Sequence, residues 1–308
     1  MPDTIMKNSI TAGPCGLSGE EESLAILSVQ SHVAYGHVGN RAAVFPLELL
    51  GFEMWIINTV QFSNHSGYES CKGEVFSGRQ IELVWSGIVD RGILPQCQAV
   101  LSGYLGDAGI GNAVLSAVED VRAVNPDALY CCDTVMGDYG KGLYVRSDIP
   151  DFMLEHAIPR ASIITPNQFE AETLTGQVIQ NVEDAKSAAA SLKELGPKII
   201  LIKSFMPEGA EPGTISVFLS CEEGDYVVKT PEIKFGDPAP HGAGDLTSAL
   251  FLGHYLKEKS APKALELTIE SVYSVLELTQ KTGGQEMELI QSRSALMNPE
   301  PRFKAERV

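Results

Sequence analysis

Hydrophobic positions fall into short runs separated by longer amphipathic stretches. Leu24–Val33 (LAILSVQSHV) is an apolar run that ends in polar residues and reads as a buried first strand. Gly36–Asn40 is a turn, and Arg41–Leu50 has a helical pattern, closed by Gly51 and interrupted by Pro46. Met54–Phe62 has the β-branched and aromatic content of a second strand, Ser63–Gly78 is a polar loop, and Arg79–Asp90 is helical. The unit then repeats. Strands are expected at Gln98–Leu105, Ala128–Val135, Ser162–Thr165 and Lys198–Lys203. Helices are expected at Gly111–Val124, Asp151–Ala157, Gln168–Thr175 and Val182–Leu195. Thr214–Cys221 and Tyr226–Ile233 predict a strand pair joined by the polar turn Glu222–Asp225. Helices Asp245–Lys257 and Pro262–Thr282 and an amphipathic segment, Gln285–Ala295, close the chain.

Strands alternating with helices predict an α/β fold, a doubly wound and mostly parallel sheet with helices on both faces. No Ser/Gly/Pro-rich linker divides the chain, so residues 23–308 are expected to form one domain after a mobile tail at 1–22. In open α/β sheets, ligands bind beyond the carboxyl ends of the strands. The polar residues that close the predicted strands are therefore the candidates: Ser31 and His32, Gln61 to His65, Ser102 to Tyr104, Asp133, Thr165, Asn167 and Ser204.

Composition narrows the partners. The net charge of −17 disfavours nucleic acid and anionic membrane, so a phosphate would have to be met by local amides, a few cations and metal. No apolar run reaches the ~18 residues of a membrane span, and residues 1–22 lack the basic start and apolar core of a secretory signal. The six cysteines, Cys15, Cys71, Cys97, Cys131, Cys132 and Cys221, form no CxxC and no zinc-like cluster, which predicts reduced thiols in a cytoplasmic protein.

The richest chemistry lies in Phe235–Ala249, FGDPAPHGAGDLTSA. Gly242 and Gly244, with Ala243 between them, let the backbone bend close to a ligand. The helix that follows offers unpaired N–H groups and a partial positive end to an anion. Asp245 adds a carboxylate where a phosphate would sit, which makes sense if it takes the proton from a hydroxyl attacking that phosphate. Taken alone, the same residues also describe an Asp-capped surface helix.

Two other stretches add carboxylates. In Cys131–Asp138 (CCDTVMGD), Asp133 ends a strand and Asp138 follows past Gly137, an arrangement that suits the water shell of magnesium and equally a turn. In Thr165–Glu170 (TPNQFE), Asn167 and Glu170 fit a helix capping box and also lie at the edge where metal-bound water would be. Lys141 sits in GKG rather than GK[ST], which argues against a P-loop. Gly109-x-Gly111 is a partial dinucleotide fingerprint with Val114 at its third glycine. His32, His37 and His65 have no ligand spacing, and Cys132 at a buried strand end reads as an inert thiol.

Together these residues resemble the pyridoxal kinases of the ribokinase superfamily. SVQSHVAYGHVGNRAA, NTVQFSNHSGY, LSGYLGD, CDTVMGD, ITPNQFEAE and HGAGD occur in family order from about Leu24 onward. The resemblance implies a doubly wound fold with a small lid, usually a homodimer, that transfers the ATP γ-phosphate to the 5′-hydroxymethyl group of pyridoxal, pyridoxine or pyridoxamine. Asp245 then falls on the catalytic base and Gly242, Ala243 and Gly244 on the anion hole. Ser31, Ser66 and Tyr104 fall on substrate contacts. Asp133, Asp138, Thr165, Asn167 and Glu170 lie around ATP and its metals, and Lys203 and Ser204 at the nucleotide. The implied metal is magnesium with ATP; zinc as an alternative divalent ion, and potassium or sodium near Asp138, stay open.

The chain departs from the family pattern at Thr134, where Pro is usual and the loop is expected to loosen. Ser66 stands for Thr, Ala243 for Thr or Val, and the short span Phe205–Gly213 borders the nucleotide edge. Competing readings are a hydroxymethylpyrimidine or sugar kinase, a B6 carrier holding the aldehyde on Cys132, and a dinucleotide-dependent oxidoreductase using Gly109 and Gly111.

Overall fold

The strand that organises the molecule is β1 (Ala25–Val33), whose residues alternate between two cores. Ile26 packs to one side, and Leu27 and Val29 to the other. This is a computed structural model describing residues 24–236 and 239–308, so the expected tail at 1–22 lies outside the described residues. Beside β1 run β2 (Glu53–Phe62) and the short β3 (Gly73–Val75). On its other side run β4 (Cys97–Ser102), β5 (Leu129–Cys132), β8 (Ile163–Ile164) and β9 (Ile199–Phe205). The strands β10 (Thr214–Cys221), β11 (Gly224–Pro231) and β12 (Glu306–Arg307) complete a ten-stranded sheet in the order β12-β11-β10-β9-β8-β5-β4-β1-β2-β3. Pairing is parallel from β2 through β9 and antiparallel at both margins. Between β5 and β8, β6 (Gly137–Asp138) and β7 (Gly142–Leu143) form a separate small hairpin.

Helices cover both faces. One face is packed by α2 (Gly78–Val89), α3 (Ala108–Val124), α4 (Ile149–Phe152), α5 (Gln168–Thr175) and α6 (Val182–Glu194). The other is packed by α1 (Asn40–Leu49), α7 (Ala243–Glu258), α8 (Ala261–Thr282) and α9 (Arg293–Met297). The doubly wound arrangement agrees with the sequence reading. In α7, Leu246 to Leu252 are all buried, so this stretch is enclosed on every side and sits inside the second layer rather than on the surface.

Two expectations are corrected. The loop 63–78 contains β3, whose residues are all exposed and carry no hydrophobic alternation. The turn between β10 and β11 is tighter than Glu222–Asp225, because Cys221 pairs with Gly224, whose φ of +131° suits glycine. In the amphipathic segment 285–295 a helix begins at Arg293, and upstream of it the backbone N–H of Glu288 donates to the Thr279 hydroxyl.

A register shift interrupts the β1–β2 ladder: Gln30 faces Asn58 but Ser31 faces Val60, leaving Thr59 as the extra residue. The shift lies at the carboxyl end of the central strand, where the predicted ligand edge begins.

Candidate active site

The carboxyl ends of β1, β4, β5, β8 and β9 meet the start of α7. Gly242 caps this helix with φ +94°, and a Cβ there would collide with the His37 carbonyl oxygen. Only glycine satisfies both conditions. Asp245 lies in the first turn of α7, partly exposed, and its Oδ2 accepts the Gly39 backbone N–H at 2.9 Å. Burial and the Asp133 charge push the Asp245 carboxyl up to about 6, against the Gly39 hydrogen bond and the Lys203 charge. A carboxyl in that range is ionised at neutral pH and basic enough to take a proton.

Below Asp245 lies a buried polar cluster. Lys203 Nζ is 2.7 Å from Asp133 Oδ1 and donates to Ser248 Oγ at 3.1 Å. Ser248 donates to Asp133 Oδ2 at 2.8 Å, and its Oγ lies 2.8 Å from Thr165 Oγ1. Burial works against the Lys203 charge, but Asp133 and Glu170 outweigh it and raise its pKa. Lys203 is thereby a fixed cation beneath the glycine turn: a Cβ on Gly244 would lie 3.5 Å from its Nζ.

Glu170 is the second buried carboxylate. Its Oε1 accepts the Met136 N–H at 2.8 Å, and its Oε2 accepts the Asn167 N–H at 2.9 Å and the Thr134 hydroxyl at 3.1 Å. The Asn167 side chain returns the capping bond to the Glu170 N–H at 2.8 Å and also donates to the Gly137 carbonyl at 2.8 Å. The capping box is therefore real, and it ties α5 to the hairpin. Burial raises Glu170 to about 7, with Lys203 opposing and Asp133 adding to the shift. Thr134, expected to loosen its loop, instead contributes a donor to Glu170.

Asp138 is exposed and accepts the Tyr139 N–H at 2.9 Å. Ser204 is exposed and takes φ +51°, uncommon for a residue with a Cβ, just after an isolated bridge joins Lys203 to Asn167. Among the described residues no three His, Cys, Asp or Glu side chains cluster to hold a metal ion. Asp133, Thr165 and Glu170 are engaged within the protein. This donor set fits a magnesium ion that rides on nucleotide phosphates and keeps its waters, not one caged by side chains.

The residues expected at the acceptor line the neighbouring loops. Ser31 Oγ abuts Gly39, where a Cβ would meet it. Tyr104 is partly buried just after β4, and its pKa is raised by burial. Ser66 is exposed beside His65, whose ring stacks on His241 with centroids 3.9 Å apart. Burial, His241 and Lys141 lower His65 to about 4, and burial with Lys141 lowers His241 as well, so the stack disfavours charge on either ring. Tyr68 donates to Glu286 Oε1 at 2.6 Å, and the His37 N–H donates to its Oε2 at 3.1 Å. His241, Ser248 and Glu286 escaped the sequence reading. A Ser inside an apolar helix signals Ser248, whereas Glu286 contacts residues too distant in sequence to be foreseen.

Cys132 is fully buried on β5 and its thiol is pushed up to about 11 by burial. That geometry disfavours a thiohemiacetal there. Gly109 and Gly111 open α3 on the other face of the sheet. A concavity of about 900 Å³ lies between the start of α6, segment 207–214 and β11, away from Asp245. The polar convergence at the strand ends, not cavity size, marks the reactive centre.

Residues 76–289 match the family model described as phosphomethylpyrimidine kinase. Over 286 residues the chain is 48% identical to a pyridoxal kinase of Rubrobacter xylanophilus, covering 92% of this chain and 98% of the relative. A pyridoxal kinase of Deinococcus radiodurans is 46% identical, over 92% of this chain and 96% of the relative. A solved pyridoxal kinase from Leishmania donovani, in complex with ADP and pyridoxamine, superposes with a TM-score of 0.85 at 28% identity, over 92% of this chain and 99% of that chain.

Proposed function

From its membership of the pyridoxal kinase family, to which this chain belongs, we propose that it phosphorylates the 5′-hydroxymethyl group of pyridoxal, pyridoxine and pyridoxamine with ATP. The observation that carries the reading is Asp245, a carboxylate of raised pKa in the first turn of a helix whose glycine start faces a buried lysine.

In this mechanism the acceptor lies against Ser31, Ser66 and Tyr104 with its hydroxyl toward Asp245. Asp245 takes the hydroxyl proton as the oxygen attacks the γ-phosphorus in line and ADP leaves. The N–H groups from Gly242 through Asp245 and the Lys203 ammonium stabilise the charge on the transferring group. Asp133 and Glu170 would hold a magnesium ion brought with ATP, and that ion would supply positive charge against the phosphates. Thr165 and Asn167 fix the nucleotide edge from beneath, Lys203 and Ser204 border it, and Asp138 flanks it on the hairpin, where a potassium or sodium ion would also sit. The reading includes residues 23–308 as one domain, a homodimer and a cytoplasmic setting.

A second reading has a specific observation behind it. The matched family model is described by a pyrimidine substrate, but its match begins at residue 76, beyond Ser31 and Ser66. The pyridoxal kinase relatives extend over 92% of the chain. The test presents pyridoxal, pyridoxine, pyridoxamine, hydroxymethylpyrimidine and ribose side by side with ATP and magnesium, with and without potassium. Pyridoxal phosphate formation at the highest kcat/KM is expected; preferred turnover of hydroxymethylpyrimidine or ribose overturns the reading.

A further inference from the structure

We infer that Asn40 is a positioning residue for the reaction: by closing the register break between β1 and β2, it holds the Gly39 N–H on the Asp245 carboxylate. The inference rests on the reading of Asp245 as the base.

The register shift after Gln30 leaves acceptors that the parallel ladder does not use. Asn40, buried as the first residue of α1, supplies the missing donors. Its Nδ2 donates to the Gln30 carbonyl at 3.3 Å, the Ile57 carbonyl at 3.1 Å and Asn58 Oδ1 at 2.8 Å. Three acceptors share two hydrogens. Its Oδ1 accepts from Ser28 Oγ at 2.7 Å, and Ser28 in turn accepts from Gln30 Nε2 at 2.9 Å. One amide thus binds the start of α1 to both strands at the point where their pairing breaks.

The residue before it is Gly39. Its conformation, φ +53° and ψ −130°, suits glycine, and its carbonyl is taken by the N–H groups of Ala42 at 2.9 Å and Ala43 at 3.0 Å. Its Cα is pressed on Ser31, where a Cβ would collide. With the helix holding one side of Gly39 and Ser31 the other, its N–H can point only where Asn40 has set the helix start, at Asp245 Oδ2. Among the described residues, the charged and titratable groups that act with Asp245 are Asp133 after β5, Lys203 on β9 and Tyr144 after β7. The Gly39 N–H joins Lys203 in favouring the ionised carboxylate, whereas Asp133 disfavours it. Losing that N–H leaves Asp245 protonated to higher pH, and activity on the acid side falls.

The test is the pH profile of kcat/KM for pyridoxal between pH 5 and 9, measured for wild type, Asn40→Ala, Ser28→Ala and Asp245→Asn. Folding of each variant is checked by thermal unfolding and ADP binding. Asn40→Ala is expected to move the acid limb up by about one pH unit, roughly a fivefold loss at pH 6 and nearly tenfold at pH 5, recovering by pH 8.5. Ser28→Ala, which removes the donor to Asn40 Oδ1, moves it the same way by less and carries the test if Asn40→Ala does not fold. A folded variant whose activity falls by one constant factor at every pH, or whose limb stays put, overturns the inference. A fully active Asp245→Asn overturns the base assignment and the inference with it. An inactive Asp245→Asn beside an unmoved limb overturns the inference alone.

Discussion

Lys203 Nζ stands 2.7 Å from Asp133 Oδ1 with both side chains almost wholly withdrawn from water, and Ser248 binds both of them. Such a pair is costly to break from one side, because the survivor is left buried and uncompensated. Lys203→Met should destabilise the fold by about 3–5 kcal/mol. In a double-mutant cycle with Asp133→Asn, the combined loss should be smaller than the sum of the single losses. Urea unfolding of the four proteins measures both; additive losses would show that the two charges do not act as a unit.

Asp245→Asn keeps the shape and removes the base. Turnover should fall by at least about 100-fold, with ADP affinity retained. In the wild type, activity should rise with pH through about 6, the value to which burial and Asp133 push the carboxyl, because only the ionised form accepts a proton. Stopped assays across the pH range check the limb, and near-normal turnover of Asp245→Asn would remove it from the mechanism.

Gly242→Ala introduces a methyl group against the His37 carbonyl at a φ of +94°. Backbone strain alone should cost about 1–3 kcal/mol, and the start of α7 should shift, lowering kcat more than the affinity for pyridoxal. Steady-state kinetics beside thermal unfolding separates the two effects, and unchanged kcat would show that the amides do not hold the phosphoryl group.

Thr134→Val removes the hydroxyl that Glu170 Oε2 accepts at 3.1 Å. Leaving a buried carboxylate short of a donor should cost about 1–3 kcal/mol. Unfolding midpoints of wild type and Thr134→Val test this, with no change expected if the bond contributes nothing.

The sheet was legible because its central strands are buried on both faces and read as unbroken apolar runs, as in Ile199–Ile202. Strand β3 was not, since Gly73, Glu74 and Val75 all face solvent and no pattern of burial reaches the sequence. In the candidate site, the glycine turn and the strand-end carboxylates announce themselves through residue type. Asn40 does not: its value comes from a register break in two strands, and a register break leaves no mark on hydropathy. Glu286 is hidden for a related reason, since its partner His37 lies 249 positions away. Thr134 looked like a loosened loop because its donor role depends on Glu170, which only the fold brings near.

The bond from Gly39 to Asp245 spans 206 positions of the chain. A ribosome emitting this protein has finished the first strand and helix long before the glycine turn appears. The two halves of the reactive centre thus remain apart through most of synthesis. Contacts of such separation carry a large closure entropy and form late. A nascent or truncated chain ending before α7 therefore lacks both the base and the amides beside it, so it cannot spend ATP before the fold is complete.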